Sequence, residues 1–240
     1  MNIALIGYGR MGHEIEAIAI KRGHVIKLIV DQDNTEDLNN NNLKGIDAAI
    51  EFSSPLTAFN NIITCLGCKV PVVSGTTGWL ENYDKAVDAC MQNKTSFIHS
   101  ANFSIGVNLV FRLNRELAKQ MERYSDYTVS VEEIHHTKKL DAPSGTAIAL
   151  VKGIIDENKR YASWSMDKER IEEGGSIPVT AYREGEVPGT HIVTWESGID
   201  TIILKHEARN RKGFALGAVI AAEFIHSREG VYTMDDVMGF

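Results

Sequence analysis

Asn2-Ile3-Ala4-Leu5-Ile6-Gly7-Tyr8-Gly9-Arg10-Met11-Gly12 decides the fold. A short, nearly continuous apolar run, Asn2 to Ile6, ends in glycine. A segment of helical spacing follows from Arg10 to Arg22, with Met11, Ile15, Ile18 and Ala19 on one stripe, and it stops at Gly23. The glycines fall as G-x-G-x-x-G, and each position has a physical task. Gly7 permits a tight turn, Gly9 lets the backbone approach a pyrophosphate, and Gly12 lets helix and strand pack closely. The helix N-terminus then presents N–H groups and the positive end of its dipole to phosphate. The glycine pattern alone is weak and could be an ordinary turn. Its strand-turn-helix setting, with an acidic residue about 20 positions on, makes it a dinucleotide fingerprint. That acid is Asp31, after a second strand at Val25 to Val30. A carboxylate there accepts hydrogen bonds from ribose hydroxyls and repels a 2′-phosphate. No Arg or Lys follows nearby to offset it, so NADH is expected to be preferred over NADPH.

Outward from this motif, the alternation continues. Strands are expected at Asp47 to Phe52, Val70 to Ser74 and Ser96 to His99, and helices at Pro55 to Leu66 and Trp79 to Met91, with Asp31 to Asn42 as a polar, asparagine-rich surface loop. Strand-helix alternation with apolar strands implies a parallel sheet covered on both faces. After about Asn102 the pattern changes. A helix at Val107 to Met121 leads to an alternating strand, Tyr127 to Ile134, and a helix at Thr146 to Glu157. Strands follow at Pro178 to Arg183, His191 to Glu196 and Thr201 to His206, and then an alanine-rich helix, Phe214 to His226, which is expected to return to the first domain. The expected fold is α/β: an N-terminal doubly wound Rossmann-type parallel sheet plus a smaller α+β domain with a mixed or antiparallel sheet. Residues 1–104 and 213–240 form the dinucleotide-binding domain, and 105–212 the substrate-binding and oligomerisation domain. Loops after the fourth and fifth strands, Gly75-Thr76-Thr77-Gly78 and Ala101-Asn102-Phe103-Ser104, fall at the carboxyl ends of strands, where such sheets bind ligands.

Composition narrows the function classes. A net charge of −7 suits neither nucleic acid nor an anionic membrane as partner. No apolar run reaches the roughly 20 residues of a membrane span, and the N-terminus lacks a signal peptide's basic lead-in, so a cytoplasmic protein is expected. Cys65 and Cys68 form a CxxC, but no second CxxC or Cys-His pair completes a metal site, and they read as small apolar residues near a helix end. No metal is expected.

The densest chemistry lies in Glu133-Ile134-His135-His136-Thr137-Lys138-Lys139-Leu140-Asp141-Ala142-Pro143-Ser144-Gly145-Thr146-Ala147. Two histidines and a lysine place acid–base and cationic groups in one loop. Ser144-Gly145-Thr146 opens the next helix and offers a second anion site. Taken physically, this could also be a basic surface loop with a capped helix. The stretch closely resembles the signature E-x-H-H-x-x-K-x-D-A-P-S-G-T of the dihydrodipicolinate reductase family. The resemblance extends over nearly the whole chain through GYGRMG, GTTG at Gly75 to Gly78, ANFSIGVN at Ala101 to Asn108 and HEARNRKGFALGA at His206 to Ala218.

The resemblance implies NAD(P)H-dependent reduction of a small dicarboxylate imine to tetrahydrodipicolinate, in diaminopimelate and lysine synthesis. It implies His135 as acid and proton donor, Lys139 as the principal cation and a possible sharer of the acid role, and His136, Ser144, Gly145 and Thr146 as the carboxylate cradle. Gly7, Gly9, Arg10, Met11, Gly12, Asp31, Phe52, Gly75, Thr76, Thr77, Ala101, Asn102, Phe103, Arg211 and Phe214 fall at cofactor positions, the last two near a domain hinge. A homotetramer built through the second domain's sheet is also implied. Many relatives have a Gly-Glu-His turn where this chain reads Val187-Pro188-Gly189-Thr190-His191, and the chain is short between Asp156 and Pro178. Two other readings remain at this stage: a reductase of the aspartate-dehydrogenase type, and a non-catalytic dinucleotide sensor. The sensor has no need of both His135 and Lys139.

Overall fold

The computed structural model describes residues 1–167 and 175–240; the expected shortening between Asp156 and Pro178 lies partly outside them. Two compact units result, one of Met1–Ile105 with Arg211–Phe240, the other of Gly106–Asn210.

The first unit holds β1 (Asn2–Ile6), α1 (Arg10–Lys21), β2 (Val25–Val30), β3 (Ala48–Glu51), α2 (Ala58–Gly67), β4 (Val72–Ser74), α3 (Tyr83–Asn93) and β5 (Ser96–His99). After the second unit come α6 (Lys212–Ile225), β11 (Gly230–Tyr232) and α7 (Met234–Met238). Its six strands run parallel in the order β11-β5-β4-β3-β1-β2. The two-residue period of a strand sorts the core. Ile3, Leu5 and Ile50 join Ile15 and Ala19 of α1 and Ala215, Ala218, Val219 and Ala222 of α6. Ala4, Ile6 and Ala49 join Ala58, Ile62 and Cys65 of α2 and Ala86 and Cys90 of α3 on the other face. Each such Ile or Leu stabilises by roughly 1.5–3 kcal/mol, more than helix propensity supplies per residue. Burial therefore fixes where the helices lie.

Two local readings need correction. The second helix starts at Ala58, not Pro55, because Thr57 and Ala58 N–H both donate to the Ser54 carbonyl and close a turn around Pro55. Trp79 is buried ahead of a 3-10 turn at Leu80–Asn82, and α3 starts only at Tyr83. The asparagine-rich loop is tied by its own side chains. Asn34 Nδ2 donates to the Ile29 carbonyl, Asn39 Oδ1 accepts from Asn41 and Asn42 N–H, and Asn42 Nδ2 donates to the Asp37 carbonyl. Cys65 lies in the core, where burial pushes its thiol well above the usual range.

The second unit begins within α4 (Ile105–Met121) and continues through β6 (Thr128–His135), α5 (Gly145–Glu157), β7 (Ser163–Ser165), β8 (Ser176–Arg183), β9 (Thr190–Glu196) and β10 (Thr201–Glu207). The sheet order is β10-β9-β6-β8-β7. The β10–β9 and β9–β6 pairs are antiparallel, and the β6–β8 and β8–β7 pairs parallel, so the sheet is mixed. Val129, Val131, Val179, Val193 and Trp195 pack with Ala147, Leu150, Val151 and Ile154 of α5. Tyr182, Ile199, Ile202 and Ile203 remain exposed. Among the described residues, no helix is long and apolar enough to cross a membrane.

Candidate active site

Strand order β2-β1-β3-β4 sets four segments in one row at the carboxyl ends of the first sheet: Asp31, Gly7 to Gly12, Phe52 with Ser53, and Gly75 to Thr77. A groove of about 480 Å³ is lined by Gly9, Arg10, Met11, Phe52, Ser53, Pro55, Gly75, Thr76, Thr77 and Arg211. The turn leading into it demands glycine at Gly7, which has φ +89° and where a Cβ would lie 2.1 Å from the Phe52 carbonyl oxygen. No atom lies within 4 Å of where a Gly9 side chain would begin, leaving room for a ligand. No side chain caps α1, and its first turn has no acid, so its positive end is left for an anion. Asp31 follows β2. Its N–H donates to Asn34 Oδ1 at 2.7 Å, and no described basic side chain pairs with its carboxylate. These features fit a dinucleotide.

Of the remaining cofactor-position residues, Gly12 is buried in α1, and Ala101 and Asn102 follow β5, with Asn102 Oδ1 accepting from Ser104 N–H at 2.9 Å. The Phe103 side chain belongs to the core, 5.9 Å from the Phe52 ring, and Phe214 is in the first turn of α6. Sequence reasoning missed Ser53 and Pro55, and also Glu51, the fully buried last residue of β3. Glu51 Oε1 accepts from Ser53 N–H (3.0 Å), the Ser53 hydroxyl and the Thr76 hydroxyl (2.8 Å), and Oε2 accepts from the Ser74 hydroxyl (2.6 Å). The Thr76 carbonyl in turn accepts from Trp79 Nε1 and His99 Nε2.

In the second unit the register builds the site. Glu133 and His135 share the buried face of β6. Across the ladders Glu133 faces His191 of β9, and His135 faces Arg183 of β8. Glu133 Oε2 lies 3.6 Å from His135 Nδ1 and 3.8 Å from His191 Nε2, and accepts from Ser144 N–H at 2.9 Å. Burial alone would raise the Glu133 pKa. Hydrogen bonds from Ser144, with His135 and Arg183, more than offset that and hold it below the carboxylate range. Burial lowers His135 against the pull of Glu133, and burial and His135 together lower His191 to about 4. The two imidazoles and the carboxylate have metal-like spacing, but the Arg183 guanidinium, 3.2 Å from Glu133 Oε1, already balances that charge.

Arg183 also holds the loop that follows β6. It donates to the carbonyls of Asp141 (2.6 Å) and Lys139 (3.3 Å). Lys139 Nζ donates to both Asp141 oxygens, at 2.7 and 2.8 Å, which pulls the Asp141 pKa down. Ser144 caps α5, its Oγ accepting from Ala147 N–H and lying 3.1 Å from His191 Nε2. Gly145 and Thr146 form the first turn, which has no acid, and His136 follows β6 directly. Gly189, with φ +154°, lies where a Cβ would be 3.0 Å from His135 Nε2. Glu133, Arg183 and His191 were not singled out from the sequence, although the two-residue step from Glu133 to His135 puts both on one face.

Together, a Rossmann-type groove and a compact His, Lys and helix-terminus cluster define a dinucleotide-dependent oxidoreductase class. The family model described as dihydrodipicolinate reductase, N-terminus, matches residues 1–103, and that described as dihydrodipicolinate reductase, C-terminus, matches residues 106–238. The chain belongs to the dihydrodipicolinate reductase family. It is 51% identical over 240 residues to the 4-hydroxy-tetrahydrodipicolinate reductase of Christiangramia forsetii, covering 99% of this chain and 98% of that one. It is 34% identical to the protein of the same name from Alkaliphilus oremlandii, again over 99% and 98% of the two chains. The fold matches a dipicolinate-bound dihydrodipicolinate reductase from Paenisporosarcina sp. TG-14 with a TM-score of 0.80, at 22% identity and 97% coverage of both chains.

Proposed function

We infer that this protein is an NAD(P)H-dependent 4-hydroxy-tetrahydrodipicolinate reductase, acting in diaminopimelate and lysine synthesis. The observation that carries the reading is the match of both family halves across the chain, together with 51% identity to a reductase of that name. Family membership displaces the aspartate-dehydrogenase-like reading, and the presence of both His135 and Lys139 argues against a non-catalytic sensor.

NAD(P)H supplies the hydride when bound. Gly9, Arg10 and Met11, at the α1 N-terminus, hold its pyrophosphate, and Asp31 holds the adenosine ribose. The segments after β3 and β4 receive the nicotinamide end, with Ala101, Asn102, Phe103, Arg211 and Phe214 as further cofactor contacts. The Asp31 carboxylate, with which no described basic side chain pairs, supports a preference for NADH. Lys139 anchors one substrate carboxylate by exchanging Asp141 for it. The N–H groups of Gly145 and Thr146 take the other, with Ser144 setting the helix start and His136, at the end of β6, as a further substrate contact. Hydride transfer to a conjugated imine builds negative charge, which an acid must quench. His135 is that acid, with Lys139 its partner in the role. Its lowered pKa leaves the imidazole neutral in the free protein, and a bound dianion favours its charged form. Exposed Tyr182, Ile199, Ile202 and Ile203 support a homotetramer joined through the second unit's sheet, with residues 105–212 as the substrate and oligomerisation domain. Cofactor and substrate are soluble metabolites of the cytoplasm, where we assign the enzyme. The test is an assay of NADH absorbance with freshly formed cyclic imine. Absence of imine-dependent oxidation by folded protein refutes the function.

A further inference from the structure

Loss of a hydride turns the neutral dihydronicotinamide ring into a cation, so a fixed charge near that end of the groove bears differently on the two forms of the cofactor. Glu51 supplies such a charge. It ends β3 with no exposed surface, one layer behind the groove wall formed by Phe52, Ser53 and Thr76. Its four donors, the Ser53 amide and the Ser53, Ser74 and Thr76 hydroxyls, are all neutral. Among the described residues no basic side chain pairs with it. His99, held 3.0 Å from the Thr76 carbonyl, is kept toward its neutral form by burial. A carboxylate needed only to brace the Gly75–Thr77 loop could be replaced by a neutral amide or hydroxyl. A buried carboxylate satisfied by neutral donors keeps its field instead of spending it on a counter-ion.

We propose that Glu51 sets the redox-state preference of the cofactor groove, favouring the oxidised, cationic nicotinamide over the reduced, neutral one and so assisting hydride release. This rests on the groove being the dinucleotide site with its nicotinamide end over β3 and β4. At roughly 10 Å and an effective dielectric of ~20, a unit charge pair changes an equilibrium about tenfold. The experiment is equilibrium titration of the full-length protein with NADH, by its fluorescence, and with NAD⁺, by displacement. In Glu51→Gln the ratio of the NAD⁺ to the NADH dissociation constant rises about tenfold. Ser74→Ala removes a donor but keeps the charge, and moves both constants together. An unchanged ratio in folded Glu51→Gln overturns the proposal. If that variant does not fold, wild-type protein is titrated with benzamide adenine dinucleotide, whose ring has the same shape without the charge. Binding about tenfold weaker than NAD⁺ supports the proposal, and equal binding overturns it. Wild-type protein that binds neither NADH nor NAD⁺ overturns the dinucleotide reading itself, an outcome distinct from binding with an unmoved ratio.

Discussion

Replacing Arg183 with methionine isolates the role of the loop that carries Lys139. The guanidinium pairs with Glu133, a carboxylate with no exposed surface, and donates to the carbonyls of Lys139, Asp141 and Tyr182. Methionine keeps much of the apolar stem but removes every donor. Orphaning a buried charge costs about 3–5 kcal/mol. Arg183 is 21% exposed, so water reaches part of the vacated space, and the expected loss is about 2–4 kcal/mol, read from urea denaturation followed by fluorescence. With both carbonyl anchors gone, the Lys139 ammonium loses its fixed place. An ångström of misplacement costs about 10²-fold in rate, so kcat/KM for the imine falls on that order. NADH affinity holds, because the groove is lined by residues of the first unit. Arg183→Lys returns a charge to Glu133 without the planar fork, and recovers more stability than activity. A folded Arg183→Met protein with wild-type kcat/KM would refute the reasoning.

Lys139→Ala is expected to abolish most turnover and substrate binding while leaving the NADH dissociation constant unchanged; an unaltered kcat/KM overturns its assignment. His191, at about 4 when folded against an ordinary ~6.5, lets the unfolded chain bind a proton that the folded one refuses between those values, so stability falls as pH drops through that window. The loss is up to ~1.4 kcal/mol per pH unit, about 3 in all, and is checked by urea midpoints at pH 7 and 4.5, with His191→Gln giving a flatter dependence. Asp31→Ser removes the charge that repels a 2′-phosphate and raises kcat/KM with NADPH relative to NADH about tenfold; a wild-type enzyme that favours NADPH refutes the role of Asp31.

The elements legible in the sequence are those with a period long enough to show. The β1-turn-α1 unit is marked by continuous apolar residues and three spaced glycines, and β6 by strict alternation. The three-residue strands Ser163–Ser165 and Gly230–Tyr232 are too short to carry a pattern. Helix α7 has only five residues, yet its capping box between Thr233 and Asp236 is a signal that could have found it. In the site, residues contiguous in a motif were readable, whereas those supplied by register were not. His191 and Arg183 meet Glu133 only because β9 and β8 flank β6 in one particular alignment, and no local spacing encodes that. Likewise two of the four donors to Glu51, the Ser74 and Thr76 hydroxyls, come from β4 and its loop, more than twenty residues away.

The first unit is assembled from two separated pieces of chain, and this shapes its birth on the ribosome. Helix α6 covers the face formed by Ile3, Leu5, Ile50, Val73 and Ile98, but its residues emerge only after the whole of the second unit has been made. At the usual ~5–20 residues per second, the nascent sheet waits several seconds or more with this flank covered only by α1. A chain halted before Lys212 is therefore expected to leave apolar surface of this sheet uncovered, and to bind an apolar dye more strongly than the finished protein.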